Sequence, residues 1–240
     1  GEPLLVLHGF GADKDHFAIV AALLRGTGRI VAIDLPGFGD SSKRDDLPYS
    51  IAAQVARLPA ILDALELPRA HLGGSSMGGA LALEFARQYP DRVQSLWLLA
   101  PAGVSAASES EMTRRYRSTG TSPLIAQKPE QFEQVLQLVF SRRPPLPYSV
   151  KHELALAAVR DYPLHAQIFH EMSATMPALE QAAQGLATPT LIVWGEEDRV
   201  LDVSGAAPLQ RALPNATLIV MPGIGHLPML EDPLQAARDY

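Results

Sequence analysis

Ser76 lies at the centre of Gly73-Gly74-Ser75-Ser76-Met77-Gly78-Gly79, a stretch containing a G-x-S-x-G core. An apolar run, Ala70-His71-Leu72, precedes it, and a helix-like run from Ala80 to Tyr89 follows. A serine between a strand and a helix can be lifted out of the sheet edge by a sharp turn, which exposes its hydroxyl for attack on a carbonyl carbon. Such a turn holds the serine at unfavourable backbone angles, so its flanks must be small. Gly74 and Gly78 meet that need, and their register makes Ser76 the nucleophile and Ser75 a spacer.

A serine hydroxyl is a weak nucleophile at neutral pH and needs a base, itself oriented by an acid. Thr190-Leu191-Ile192-Val193-Trp194-Gly195 reads as a buried parallel strand and leads into the loop Glu196-Glu197-Asp198-Arg199-Val200. Ala216 to Met221 reads as another strand and leads into Pro222-Gly223-Ile224-Gly225-His226. His226 is the candidate base, and Asp198, Glu197 and Asp202 compete for the acid. The negative charge that develops on the carbonyl oxygen calls for two convergent N–H groups. Met77, directly after the serine, offers one, and Phe10, in the turn after Leu4-Leu5-Val6-Leu7-His8-Gly9, offers the other. His8 reads as a loop residue that hydrogen-bonds beside this turn. The remaining histidines (His16, His71, His152, His165, His170) show no metal-ligand spacing with acids and take surface or packing roles. Neither a metal nor a cofactor is called for. Glu231 and Asp232 read as the acidic start of the final helix, where carboxylates favour the dipole.

Taken together, these segments resemble the α/β-hydrolase fold serine hydrolases, in the branch that holds monoacylglycerol lipases and small bacterial lipases and esterases. The likeness is carried by His8 to Asp15, Asp34-Leu35-Pro36-Gly37-Phe38-Gly39, Gly74 to Gly79, Ala100-Pro101-Ala102-Gly103 and Trp194 to Gly205, and is thinnest in the middle third. It implies an α/β fold: a mostly parallel central sheet flanked by helices, with an inserted helical cap. It also implies Asp198 as the acid, by its position after Trp194-Gly195, and Asp34 with Pro36–Gly39 as part of the site's rim. The expected activity is hydrolysis of carboxylic esters with hydrophobic acyl chains, through an acyl-enzyme on Ser76. The alternative is a carbon–carbon bond hydrolase of ring-cleavage products, using the same triad. That chemistry needs polar cap groups for a dicarboxylate, and Arg114, Arg115, Arg117, Arg142 and Arg143 are the candidates. Epoxide hydrolases and haloalkane dehalogenases are disfavoured, since both place an aspartate where this chain has Ser76. A non-catalytic ligand-binding module is disfavoured because triad and oxyanion turn are both complete.

The elements that must position these groups follow from the apolar patterning. Strand signals lie at Leu4–Leu7, Ile30–Ile33, Ala70–Leu72, Val93–Leu99, Thr190–Trp194 and Ala216–Met221, several of them continuous apolar runs that suit a sheet covered on both faces. Helix signals alternate with them at His16–Leu24, Ile51–Leu65 (with Pro59 as a kink), Ala80–Tyr89 and Gly205–Leu213. From Gly103 to Ala187 strand signals vanish and Pro-interrupted helical patterns take over. Residues 104–186 therefore read as a cap over the serine, on a core of residues 1–103 and 187–240. Within the cap, Phe132, Val135, Leu136, Val139 and Phe140 form one helical face. The cap carries eight basic and eight acidic residues, so nothing in it steers a charged substrate.

At 240 residues and 47% apolar content the chain can bury one sizeable core. A net charge of −6 gives no footprint for nucleic acid. The absence of cysteine excludes disulfides without fixing the compartment. No apolar run approaches the ~20 residues that cross a bilayer. In this family two strands precede the first one seen here, and the last helix is short, so a truncated N-terminal sheet and C-terminal helix are expected. Bacterial cytoplasmic and membrane-associated locations both suit the resemblance, and a small lipid or ester is the expected partner. The sequence leaves oligomeric state and membrane-surface association open.

Overall fold

Six short apolar runs become the six strands of one parallel sheet: β1 (Leu4–Leu7), β2 (Ile30–Ile33), β3 (Ala70–Ser75), β4 (Val93–Leu99), β5 (Thr190–Gly195) and β6 (Ala216–Met221). The computed structural model describes residues 3–240, and Gly1 and Glu2 of the expected core lie outside the described residues. Helices alternate with the strands as parallel crossovers require. They are α1 (Ala18–Leu23), α2 (Ile51–Ala64), α3 (Met77–Gln88), α4 (Glu111–Thr119), α5 (Gln131–Val139), α6 (Tyr148–Arg160), α7 (Tyr162–Thr175), α8 (Leu179–Ala182), α9 (Ala206–Ala212), α10 (Pro228–Glu231) and α11 (Pro233–Asp239). Local chemistry sets several starts: the Ser50 hydroxyl accepts from Ala53 N–H at the head of α2, and the Asp232 carboxylate from Gln235 N–H at the head of α11.

Across the sheet the order is β2-β1-β3-β4-β5-β6. The chain winds one way from β1 to β2 and the other way from β3 onward. The order therefore reverses between β1 and β3, where Leu7 pairs with Gly74. In open parallel sheets such a reversal leaves a crevice at the carboxyl ends of the two strands. Here those ends run into His8-Gly9-Phe10 and Ser75-Ser76-Met77.

Alternation along each strand feeds two cores. Leu5 and Leu7 of β1, Leu96 and Leu98 of β4, and Ile192 and Trp194 of β5 face α2, α3 and α9. Leu4, Val6, Trp97, Leu99 and Val193 face α1, α10 and α11. α3 lies deepest: every residue from Met77 to Ala86 is buried. That burial also explains where the elbow's helix begins. The apolar pattern suggests a start at Ala80, but α3 starts at Met77 because its first turn is packed directly against β1 and β3.

Between β4 and β5 the chain makes only helices, α4 to α8. Most of the expected apolar face is present: Leu136 of α5 and Phe140 just after it are buried in the core cluster that holds Ile224 and Leu227, Phe132 and Val139 pack against it, and Val135 does not join it. α7 packs through Ile168 and Met172 into the other cluster. Leu179 and Ala183, at the ends of α8, are fully buried in that same core. By contrast α4 buries none of its residues and α6 buries only Ala155.

Candidate active site

The turn from β3 into α3 forces Ser76 to φ +53° and ψ −114°. A side chain with a Cβ is strained there, and such strain persists only where surrounding packing fixes it. The packing is visible on both sides. The Ser76 amide donates to Leu99 O at 2.9 Å, and its carbonyl accepts from Ala80 N at 3.1 Å and Ala102 N at 3.0 Å. A Cβ on Gly74 would stand 2.2 Å from the Gly78 carbonyl oxygen, and one on Gly78 would stand 2.2 Å from that of Leu7. The close approach of helix to strand thus has no room for any side chain at either position.

β1 ends beside this turn. A Cβ built on Gly9 would lie 3.3 Å from Ser76 Cβ, so the Gly9–Phe10 peptide is adjacent to the serine. His8 holds that peptide. Its Nδ1–H donates to Gly9 O at 2.7 Å, and its Nε2 accepts from Leu35 N–H at 3.0 Å. These two partners define the neutral tautomer, and burial pushes the ring's pKa down from 6.5 to about 4. A planar trans peptide points its C=O and N–H in opposite directions. Fixing the Gly9 carbonyl therefore fixes the direction of the Phe10 N–H. Met77, as the first residue of α3, carries one of the N–H groups that have no acceptor within the helix. The rim loop is tied to the same turn, as Asp34 accepts from Lys14 N at 2.8 Å, from Lys14 Nζ at 2.7 Å and from Asp40 N at 2.9 Å.

Two strands away, Asp198 and His226 meet. His226 Nδ1 donates to Asp198 Oδ2 at 2.7 Å, with both side chains buried. Asp198 Oδ1 accepts from Val200 N at 2.8 Å and Leu201 N at 2.9 Å. Three donors stabilise the carboxylate in a dry place and require a proton on Nδ1, which leaves the Nε2 lone pair as the ring's basic site. The competing acids are engaged elsewhere. Glu197 accepts from the Ser141 hydroxyl, and Asp202 caps a short 3-10 turn by accepting from Ser204 N at 3.0 Å. The structure thus joins two of the three triad candidates by a hydrogen bond. It sets Ser76 on the same carboxyl rim, but no hydrogen bond ties its hydroxyl to the imidazole. Catalytic contacts of this kind are often loose before substrate binds.

Above the rim lies an aromatic cover that spacing did not reveal. The Phe10 ring contacts Phe38 at 5.7 Å, Phe169 at 5.3 Å and His165 at 5.8 Å, and Tyr116 contacts Phe169 at 5.4 Å. α7, not α5, therefore lies over the turn that carries Phe10. The apolar face of α5 packs towards the histidine loop instead. A polar cavity of about 260 Å³ lies on the acid side, between Pro101, Val104, Ser110, Thr113, Trp194 and Leu201.

The arginines expected to meet a dicarboxylate are mostly committed. Arg115 pairs with Glu111, Arg117 with Glu109 and Arg143 with Glu133, while Arg114 donates to Glu109 O. Among the described residues no cluster of His, Asp and Glu has the geometry to hold a metal ion. No helix there is long and apolar enough to cross a membrane.

Comparison with known proteins gives the chain its family. Residues 2–233 match the alpha/beta hydrolase fold family. Lipase 1 of Psychrobacter immobilis is 36% identical, across 100% of this chain and 76% of its own. Human monoacylglycerol lipase ABHD6 is 32% identical, across 98% of this chain and 73% of its own. A crystal structure described as a membrane phospholipase A, a bacterial virulence factor, superposes with a TM-score of 0.96 at 40% identity, covering 100% of this chain and 77% of that one. A meta-cleavage product hydrolase from Pseudomonas fluorescens IP01 is a more distant likeness, 25% identical with a TM-score of 0.82, covering 99% of this chain and 88% of that one.

Proposed function

The chain belongs to the α/β-hydrolase fold family, in its lipase branch, and from that premise we propose that Ser76, His226 and Asp198 carry out its ester hydrolysis in two acyl-transfer steps. As a carboxylic ester hydrolase it must break an acyl–oxygen bond and return the acyl group to water. In the first step His226 Nε2 takes the Ser76 proton as the oxygen attacks the ester carbonyl. The oxyanion is held by the amides of Phe10 and Met77. The imidazolium, steadied by Asp198, then protonates the departing alcohol. In the second step water attacks the acyl-enzyme by the same route and frees the acid and Ser76.

The observation that carries this reading is the buried His226–Asp198 pair, facing the same rim as a serine held at positive φ. Residues 104–186 act as the cap, and α7 with its Phe169 and His165 walls the acyl site. That lining supports a hydrophobic acyl chain. The pairing of the cap arginines, together with the more distant likeness to the meta-cleavage hydrolase, places the carbon–carbon reading second. Docking on a membrane surface is supported by Tyr148, Val150, Leu154 and Leu156, all exposed on α6. Co-sedimentation with neutral lipid vesicles reads that contact, and a protein left wholly in the supernatant refutes it.

The decisive experiment is Ser76→Ala assayed on a short-chain nitrophenyl ester, alongside labelling of both proteins by a fluorophosphonate. Turnover and labelling should vanish together, and turnover that survives in the variant refutes the assignment. A profile from acetyl to long-chain esters then defines the acyl preference.

A further inference from the structure

Glu231 does not begin the final helix, as its acidic neighbourhood suggests. Asp232 alone caps α11, and Glu231 closes α10 with its carboxylate turned back over the histidine loop. Oε1 accepts from Gly225 N at 3.0 Å and from Leu227 N at 3.4 Å, the two residues on either side of His226. Oε2 accepts from Ser141 N at 3.0 Å and Arg142 N at 2.6 Å, just past the end of α5. Between these two grips, the His226 amide itself donates to Val139 O, the last residue of α5, at 3.0 Å.

A half-buried carboxylate is a costly choice for a staple. Burial pushes its pKa up, against the pull of the four amides that favour the charged form. Its geometry shows what that placement achieves. One oxygen serves only the loop that carries the base, and the other serves only the cap. The backbone of His226 is therefore gripped on both sides by Oε1 and at its own N–H by Val139 O; the last grip, and the second oxygen of the carboxylate that makes the other two, depend on the cap being seated. An imidazole needs such control, because a displacement of about 1 Å at a reacting group costs on the order of a hundredfold in rate.

We propose that Glu231 is a positioning residue that couples seating of the cap to the orientation of His226. The proposal rests on the reading of His226 as the base. When residues 139–142 lift away, Oε2 loses both donors and the His226 amide loses its acceptor, so the base is fully placed only under a closed cap.

Glu231→Gln is the informative variant. Its one carbonyl oxygen can accept from one loop, while its NH2 faces the N–H donors of the other, so one grip is released without a change in size. Measured well below its Tm, the variant should lose about tenfold to a hundredfold in kcat on a short-chain nitrophenyl ester, with KM unchanged. The rate at which a fluorophosphonate labels Ser76 should fall in parallel, since that step needs the same base. Glu231→Ala should lose more. Should it fail to fold, the Gln variant decides alone. A Gln variant with a lowered Tm but wild-type kcat and labelling rate overturns the proposal and leaves Glu231 a staple. Turnover retained by Ser76→Ala would instead overturn the active-site reading, so the two failures are distinguishable.

Discussion

Replacing His8 by leucine separates two consequences of one buried ring. The wild-type imidazole is wholly buried and bonded to Gly9 O and Leu35 N–H. Its folded pKa lies below its unfolded value, so between the two the unfolded chain binds more protons and stability falls as pH is lowered. A drop from 6.5 to about 4, at ~1.36 kcal/mol per pH unit, makes this loss about 3 kcal/mol, complete near pH 4. The leucine variant has no such proton to gain. It instead strands the buried Leu35 N–H at every pH, at a cost of about 1–3 kcal/mol. The stability gap between the two proteins should thus be widest near pH 7 and close as pH approaches 4. Urea unfolding across that range, analysed at fixed m-value, reads the gap directly. The pKa values of His16 and His165 are also lowered by burial, and both rings titrate in both proteins, so their own burial does not separate the two. A gap that stays constant with pH refutes the linkage. Activity gives the second reading. With the Gly9 carbonyl released, the Phe10 N–H drifts from the oxyanion and kcat should fall about tenfold to a hundredfold. Asparagine at position 8 can still donate to Gly9 O and should retain more activity than leucine. Full kcat in His8→Leu would show that the ring does not orient this peptide.

Two further outcomes follow from the geometry. Asp198→Asn should reduce kcat by about 10⁴-fold, the loss seen when a triad aspartate can no longer hold the right imidazole tautomer, and a loss below tenfold in a steady-state ester assay would reassign the acid. Gly78→Ala places a methyl 2.2 Å from Leu7 O and 2.6 Å from His8 O, both rigid backbone. It should cost more than about 4 kcal/mol in equilibrium unfolding, and a loss under about 1 kcal/mol would mean the elbow can relax.

Strand positions were legible because a sheet covered on both faces needs unbroken apolar runs, and β1, β2, β4 and β6 keep their expected limits. β3 extends further than its pattern, through Gly73, Gly74 and Ser75, since its neighbours need close backbone approach there rather than side chains. The chemistry-bearing residues were visible by type and order. What local spacing cannot carry is contact across many residues. Glu231 meets Ser141 and Arg142 some ninety positions away, so it read only as a helix-start acid. The same holds for α7. His165 and Phe169 sit one turn apart with no dominant apolar stripe, and only the fold brings them onto Phe10.

The helical segment between β4 and β5 is anchored unevenly. Its contacts with the loops that carry Asp198 and His226 are polar and clustered: Val139 O to the His226 amide, Phe140 O to Arg199 Nη2 at 2.7 Å, and Ser141 to Glu197 and Glu231. α7 is tied to the opposite rim, where Glu171 accepts from Tyr49 N at 2.6 Å and Asp161, just before the helix, pairs with Lys43. Apart from these anchors, α4 and α6 contribute almost nothing to the core. Elements with few buried apolar contacts are those that open at low free energy. Displacement of α4 and α6 would therefore be the least costly local opening of this segment.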